Sequence, residues 1–164
     1  MDKRMGNRLL SIALATCMTV PIHATAGNSN GVDPSIEGTW VAKVTTPTNT
    51  FLSMTTFMPG GEVIEENSNP AIRSVAQGVW VRTGDRQFIR TMYVLNFAAP
   101  RTFTGMTKVV NYIQLNHDGD EYDSVADLVT YDVNGNLLTA GHNTSHARRC
   151  TFASTVPHCL GIGL

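Results

Sequence analysis

The sequence predicts an all-β protein, an antiparallel up-and-down barrel of about eight strands. The stretch 77–116 shows the pattern best, because three runs rich in Val, Ile, Thr, Tyr, Phe and Trp follow one another there. Such residues suit a pleated, half-buried surface, and none of the runs has apolar residues at helical spacing. A turn at Gly84-Asp85 and a loop at Pro100 separate the runs. These connections are too short for crossover helices, so neighbouring strands are expected to be antiparallel.

The same pattern of strands and turns extends along most of the chain. Pro59-Gly60-Gly61 and Asn134-Gly135 are strong turn signals, since Pro fixes φ and Gly and Asn tolerate positive φ. Two architectures fit such a series, a closed barrel and a two-sheet sandwich. Sequential hairpins favour the barrel, because closure removes exposed strand edges. The predicted strands cover 36–46, 50–58, 61–67, 76–83, 86–97, 102–116, 121–131 and 136–149.

The first 26 residues have the pattern of a secretory signal peptide. A basic start precedes an apolar run at 9–22, and Ala24-Thr25-Ala26 fits the small-x-small cleavage site. The apolar run is shorter than the roughly 20 residues that a membrane-spanning helix needs. Leu14-Ala15-Thr16-Cys17 resembles a lipobox, but Thr16 stands where a smaller residue is expected. We therefore expect cleavage after Ala26 and export to the periplasm or the medium.

The mature chain, 27–164, is long enough for one domain with a hydrophobic core. It would carry nine basic and twelve acidic residues, and hence a net charge near −3. It contains no basic run, which argues against nucleic acid and against a polybasic membrane site as partners. The sequence predicts no membrane span in the mature chain and gives no indication of oligomeric state.

Two cysteines, Cys150 and Cys159, remain after the predicted cleavage. An even pair in an exported chain favours a disulfide that closes the C-terminal tail. Free buried thiols and pairing with another chain are the alternatives.

Two short motifs resemble the lipocalin, or calycin, superfamily of ligand-carrying barrels. Gly38-Thr39-Trp40 is similar to the Gly-x-Trp signature at the start of that family's first strand. Arg148 or Arg149 resembles the arginine that packs across the tryptophan and closes the barrel base. The resemblance implies a lipocalin-like barrel, running from about residue 36 to residue 149, that holds a small ligand.

The histidines and the acidic segment that could suggest a metal site do not have the spacing that metal ligands need. His142 and His146 would lie on one face of a strand about 13 Å apart, too far to share an ion. The acidic segment 118–123 resembles a calcium loop but has Tyr122 and Asp123 where a ligand and a glycine are required. No phosphate-binding glycine loop precedes a helix. We therefore predict no metal and no cofactor.

Aromatic and polar residues on the strands are the candidates for ligand contact. Between the two faces of the strand 86–97, the set with Ile89, Tyr93 and Leu95 is more apolar and is predicted to face inward. In the next strand the two sets are nearly equal, and the choice stays open. The loop 68–75 either covers an open barrel end or is an ordinary connector. The predicted ligand-binding residues are Trp80, Tyr93, Tyr112 and His142.

The primary functional hypothesis is an exported protein that binds a small hydrophobic molecule inside the barrel. One alternative is a cyclase- or isomerase-type enzyme on the same scaffold, with Asp127, Tyr93 or Arg90 as catalytic candidates. Another is a structural module with a filled core, because side chains alone can fill an eight-stranded barrel.

Overall fold

The computed structural model describes residues 34–68 and 72–161. The predicted signal peptide and the start of the mature chain lie outside the described residues. Eight antiparallel strands form a closed barrel in sequence order, and the last strand pairs with the first. The elements are β1 (Gly38–Thr45), β2 (Thr50–Phe57), β3 (Glu62–Asn67), β4 (Ala76–Arg82), β5 (Gln87–Ala98), β6 (Thr102–Leu115), β7 (Glu121–Asp132), β8 (Leu137–Cys150) and the short helix α1 (Val156–Cys159).

The all-β class and the up-and-down barrel are thus confirmed, and the sandwich alternative is wrong. Every predicted strand is present, with ends that differ by at most two residues from the prediction. The turn signals account for this agreement. Gly60, Gly61 and Gly135 all have positive φ, at 98°, 99° and 83°, so the tight turns at these positions use a conformation that glycine adopts readily.

The predicted inward face of β5 is wrong. Phe88, Arg90 and Met92 point inward and are buried, whereas Tyr93 on the opposite face is 48% exposed. The rule that the more apolar set faces the core fails here because the barrel interior contains partners for the Arg90 guanidinium. In β6, where the choice was open, Ile113 points inward and Tyr112 is 49% exposed.

An aromatic cluster fills the base of the barrel. Trp40 packs against Tyr122 with ring centroids 4.9 Å apart, and Tyr122 meets the edge of Phe57 at 6.3 Å. Trp80 lies between Phe57 and Phe88, at centroid distances of 6.1 and 5.9 Å. All but Trp80 are fully buried. Burial of this much aromatic surface is the main source of hydrophobic stabilisation at this end.

An arginine closes the base, as the lipocalin resemblance implied. The Arg149 guanidinium lies 4.2 Å from the Trp40 ring centroid, and the two residues face each other in the β1–β8 register. Arg148 instead points outward and pairs with Glu121 at 3.0 Å. The Arg149 side chain donates hydrogen bonds to the backbone oxygens of Ser35, Glu37 and Gly119. Arg149 therefore ties the chain entry and the β6–β7 turn to the end of β8.

The C-terminal tail is joined to the barrel by a disulfide between Cys150 and Cys159, whose Cα atoms are 5.4 Å apart. The two cysteines therefore lie at disulfide distance, as the predicted pairing requires. Helix α1 lies within the closed loop, and Thr155 caps its N-terminus by accepting a hydrogen bond from the His158 amide.

The wall of the barrel is taller on one side. Strands β1–β4 have six to eight residues, whereas β5–β8 have twelve to fourteen. All the extra length lies at the end opposite the aromatic base, which we call the mouth. The segment 72–74 extends along the tall side of β5 and is anchored to it by a bridge between Arg73 and Asn96. This anchoring brings Arg73 to the mouth.

Candidate functional site at the barrel mouth

A layer of hydrogen-bonded polar side chains crosses the interior at mid-height. Arg90, which is 3% exposed, donates to Glu65 at 2.6 Å, to Thr55 at 2.9 Å and to Asn111 at 3.1 Å. Thr55 in turn donates to Glu65 at 2.9 Å. The Arg90 and Glu65 charges are therefore paired with each other and hydrogen-bonded, as buried charges must be to offset the loss of hydration.

The same layer continues across the barrel to β7 and β8. Asn111 donates to Ser124 at 3.3 Å, and the hydroxyls of Ser124 and Ser145 are 2.7 Å apart. The internal cavity beside this layer has a volume of only about 30 Å³, which is room for about one water molecule. At this level the interior cavity therefore has room for a water molecule but not for a ligand.

Just beneath the layer, the buried Tyr122 hydroxyl has no hydrogen-bond partner among the described residues. Burial raises the pKa of Tyr122, and the nearby positive charge of Arg90 opposes this only in part. The phenol is thus held neutral in the folded barrel.

Above the polar layer lies a pocket of about 320 Å³ at the mouth. The β1–β2 turn forms one side, where the Thr46 hydroxyl accepts from the Asn49 amide at 2.9 Å and donates to the Asn49 oxygen at 3.0 Å. Phe51 forms the floor and packs on the core below it. The lining residues are Thr46, Thr48, Asn49, Phe51, Asn67, Ile72 and Arg73.

Arg73 is the distinctive residue of this pocket. Its side chain lines both the mouth pocket and the small internal cavity, and the residue is half-buried. Arg90, the other arginine lining the internal cavity, is neutralised by Glu65. Within residues 34–68 and 72–161, Arg73 has no ion-pair partner. The pocket therefore combines an unpaired positive charge with the apolar surfaces of Phe51 and Ile72.

The structure disperses the residues predicted to bind ligand. Trp80 points inward but is packed in the aromatic base, with its indole donating to the Met58 oxygen at 3.1 Å. Tyr93 and Tyr112 lie on the outer wall, so the prediction that Tyr93 faces inward is wrong, and the choice left open for Tyr112 falls to the outer face. His142 also lies outside, where its Nδ1 is 2.7 Å from Asp127.

The three catalytic candidates are not brought together either. Asp127 and Tyr93 are on the outer surface, while Arg90 is inside with its guanidinium bonded to three side chains. The enzyme alternative therefore stays a prediction for which this arrangement supplies no site.

A second, shallower depression of about 580 Å³ lies on the outer wall across β6, β7, β8 and β1, and Tyr112 and Val125 form its apolar part. Its histidine, His146, is already paired with Asp123 at 2.9 Å. The depression also contains Lys43, which has no ion-pair partner among the described residues but is exposed. The mouth pocket is the better candidate because its unpaired arginine is half-buried beside apolar side chains.

Among the described residues, no three His, Cys, Asp or Glu side chains are grouped so that they could hold a metal ion. In the same part of the chain no helix has the length and apolar character needed to cross a membrane.

Sequence reasoning did not identify Phe51 and Arg73 as site residues. The one available signal was the loop 68–75. The sequence allowed two interpretations of this loop, and one of them was that it covers an open barrel end. Comparison with protein-family models, curated proteins and solved structures finds no match to this chain.

Proposed function

We propose that this chain is an exported, lipocalin-like binding protein that holds a small amphipathic anion at the barrel mouth. The observation that carries the proposal is Arg73, a half-buried arginine without an ion-pair partner among the described residues, beside Phe51 and Ile72. A carboxylate or similar group would pair with the guanidinium, which presents a planar fork of donors. The hydrophobic part of the ligand would cover Phe51 and Ile72.

The size of the ligand follows from the volume of the mouth pocket and from the filled interior of the barrel below it. The mouth pocket, at about 320 Å³, is near the lower end of the range for small-molecule sites. The polar layer and the cavity of only about 30 Å³ beside it would prevent a long chain from entering the barrel. We therefore propose a compact hydrophobic group of roughly eight to twelve non-hydrogen atoms rather than a long-chain lipid.

Two further features support the lipocalin-like and exported parts of the proposal. The stacking of Arg149 on Trp40 is the base closure that the resemblance implied. The Cys150–Cys159 disulfide is typical of proteins in an oxidising compartment.

Isothermal titration calorimetry with octanoate and 1-octanol tests the proposal, since the two probes differ mainly in charge. Trp40 and Trp80 both lie at the base, so intrinsic tryptophan fluorescence would report poorly on the mouth. We expect octanoate to bind more tightly than 1-octanol. Arg73→Gln should weaken octanoate binding by roughly tenfold, as loss of a charge-assisted hydrogen bond implies, and leave 1-octanol unchanged.

The matched control is Arg86→Gln, which removes one arginine from the β4–β5 turn at the opposite end of the barrel. It should leave the affinity for octanoate unchanged. No heat of binding with either probe, or equal loss of octanoate affinity in both variants, would contradict the proposal.

A further inference from the structure

The small internal cavity adjoins the mouth pocket. Phe51, Asn67 and Arg73 line both spaces, so a ligand held at Arg73 lies next to the cavity. The cavity volume of about 30 Å³ is close to the space that one water molecule occupies, and therefore to that of one hydroxyl group. A single small substituent of a ligand could thus enter the cavity, although a hydrocarbon chain could not.

Asn143 presents an unpartnered amide to this cavity. It lies beside the fully buried Ala126 in the β7–β8 register, and so its side chain points into the barrel. Strand β1 pairs with β8 only as far as Thr144, which places Asn143 at the level where the short wall ends. The Asn143 side chain is half-buried and has no hydrogen-bond partner within residues 34–68 and 72–161.

One oxygen of Glu65, which also lines the cavity, is left over in the same way. Its Oε2 accepts hydrogen bonds from Arg90 and Thr55, whereas Oε1 accepts none from the residues that the structure describes. The Glu65 charge is paired with Arg90 at 2.6 Å. The cavity therefore contains a hydrogen-bond acceptor whose negative charge is already neutralised.

These two groups together fit a hydroxyl better than other substituents of its size. A hydroxyl can donate to Glu65 Oε1 and accept from the Asn143 amide, because it is both a donor and an acceptor. A methyl group would leave both groups without a partner. An ammonium group would bring a positive charge into a cavity whose carboxylate is already paired, at a high cost in lost hydration.

We propose that the ligand at the mouth is a hydroxy acid, a compact amphipathic carboxylate with a hydroxyl on its second or third carbon. The assignment rests on the proposed function, since Arg73 holds the carboxylate. The hydroxyl has to be close to the carboxylate because Arg73 borders both the pocket and the cavity. Asn143 is then the residue that distinguishes a hydroxy acid from the plain acid.

Isothermal titration calorimetry with substituted octanoates tests this assignment. The probes carry a hydroxyl, a methyl or an amino group on carbon 2 or carbon 3, and octanoate itself is the reference. At one of the two positions, the hydroxyl should lower the dissociation constant by roughly fivefold relative to octanoate, as one net hydrogen bond implies. The methyl and amino groups should bring no such gain at that position.

Asn143→Ala should remove the preference, so that the hydroxy acid and octanoate bind equally. Measurable octanoate binding will also show that the variant is folded. The matched control is Asn134→Ala, at an exposed position in the β7–β8 turn, which should keep the preference. In ¹⁵N–¹H NMR spectra, the side-chain amide signals of Asn143 should shift with the hydroxyl probe and much less with the methyl probe.

Three results would overturn the assignment while leaving the proposed function intact. They are octanoate binding without a hydroxyl preference at either carbon, a methyl probe that binds as tightly as the hydroxyl probe, and a preference that survives Asn143→Ala. An amino probe that binds more tightly than the hydroxyl probe would also overturn it and would identify an amino acid as the ligand. Failure of every probe, octanoate included, to bind would contradict the proposed function as well.

Discussion

Removing Glu65 should destabilise the barrel severely, because it leaves the Arg90 charge buried without its counter-ion. The Arg90 side chain is 3% exposed and that of Glu65 is 16% exposed, and their closest atoms are 2.6 Å apart. Truncating one partner of a buried pair costs about 3–5 kcal/mol, a large share of the 5–15 kcal/mol typical of a domain. Glu65→Ala should therefore lower the free energy of unfolding by about 3–5 kcal/mol.

Removing both charges should cost less. In Glu65→Leu/Arg90→Met, no charge stays buried, and apolar groups of similar volume replace the pair, which is often neutral or stabilising. The buried Thr55 hydroxyl and Asn111 carbonyl oxygen lose their partners, however, so we expect the double variant to be about 2 kcal/mol less stable than wild type. The two substitutions should thus be strongly non-additive in a double-mutant cycle.

Urea denaturation followed by circular dichroism gives both free energies. The matched control is Glu121→Ala, which breaks the Glu121–Arg148 pair at the surface, where the side chains are 37% and 36% exposed. Its cost should be below about 1 kcal/mol. Two results would contradict this prediction: a loss of stability in Glu65→Ala no larger than that in Glu121→Ala, or a double variant less stable than Glu65→Ala.

Three further predictions concern the base and the tail. Tyr122→Phe should change the free energy of unfolding at pH 7 by less than about 1 kcal/mol, because the hydroxyl has no partner. Burial raises the pKa of Tyr122, so the folded barrel keeps the phenol neutral after the unfolded chain, with a pKa of about 10, begins to ionise. The free energy of unfolding of the wild type should therefore fall as the pH rises above about 10. Tyr122→Phe, which has no phenol, should lose less stability over the same pH range in urea titrations. Arg149→Gln should cost about 2–4 kcal/mol in the same assay, through the lost Trp40 stacking and backbone hydrogen bonds; a cost near zero would contradict the role assigned to it. Replacing Cys150 and Cys159 with serine should lower stability by about 2–3 kcal/mol, and a thermal midpoint equal to that of wild type would refute this.

The strands could be predicted because each signal is local. Alternation within a run and a Gly or Asn-Gly turn beside it depend on neighbours in sequence, so the turn at Asn134-Gly135 was evident from two residues. The closure of the base could also be predicted, because Gly38-Thr39-Trp40 and the final arginines are short, recognisable motifs. Trp40 and Arg149 come into contact because β1 pairs with β8 when the barrel closes.

The inward face and the mouth could not be predicted, because both depend on distant partners. Arg90 faces inward since Glu65 and Thr55, on other strands, receive its hydrogen bonds. Arg73 belongs to the site because a bridge to Asn96 holds its segment along β5. The residues next to Arg90 and Arg73 in the sequence do not indicate either contact.

Amide chemical-shift changes in two-dimensional ¹⁵N–¹H NMR spectra show where on the barrel octanoate binds. The proposed function requires a barrel that is closed at the base, filled at mid-height and able to bind ligand only at its mouth. The largest shift changes should fall at residues 46–51 and 72–73, which line the mouth pocket. Shifts centred on the outer depression around Tyr112 and Val125, or on the aromatic base around Trp80, would contradict it.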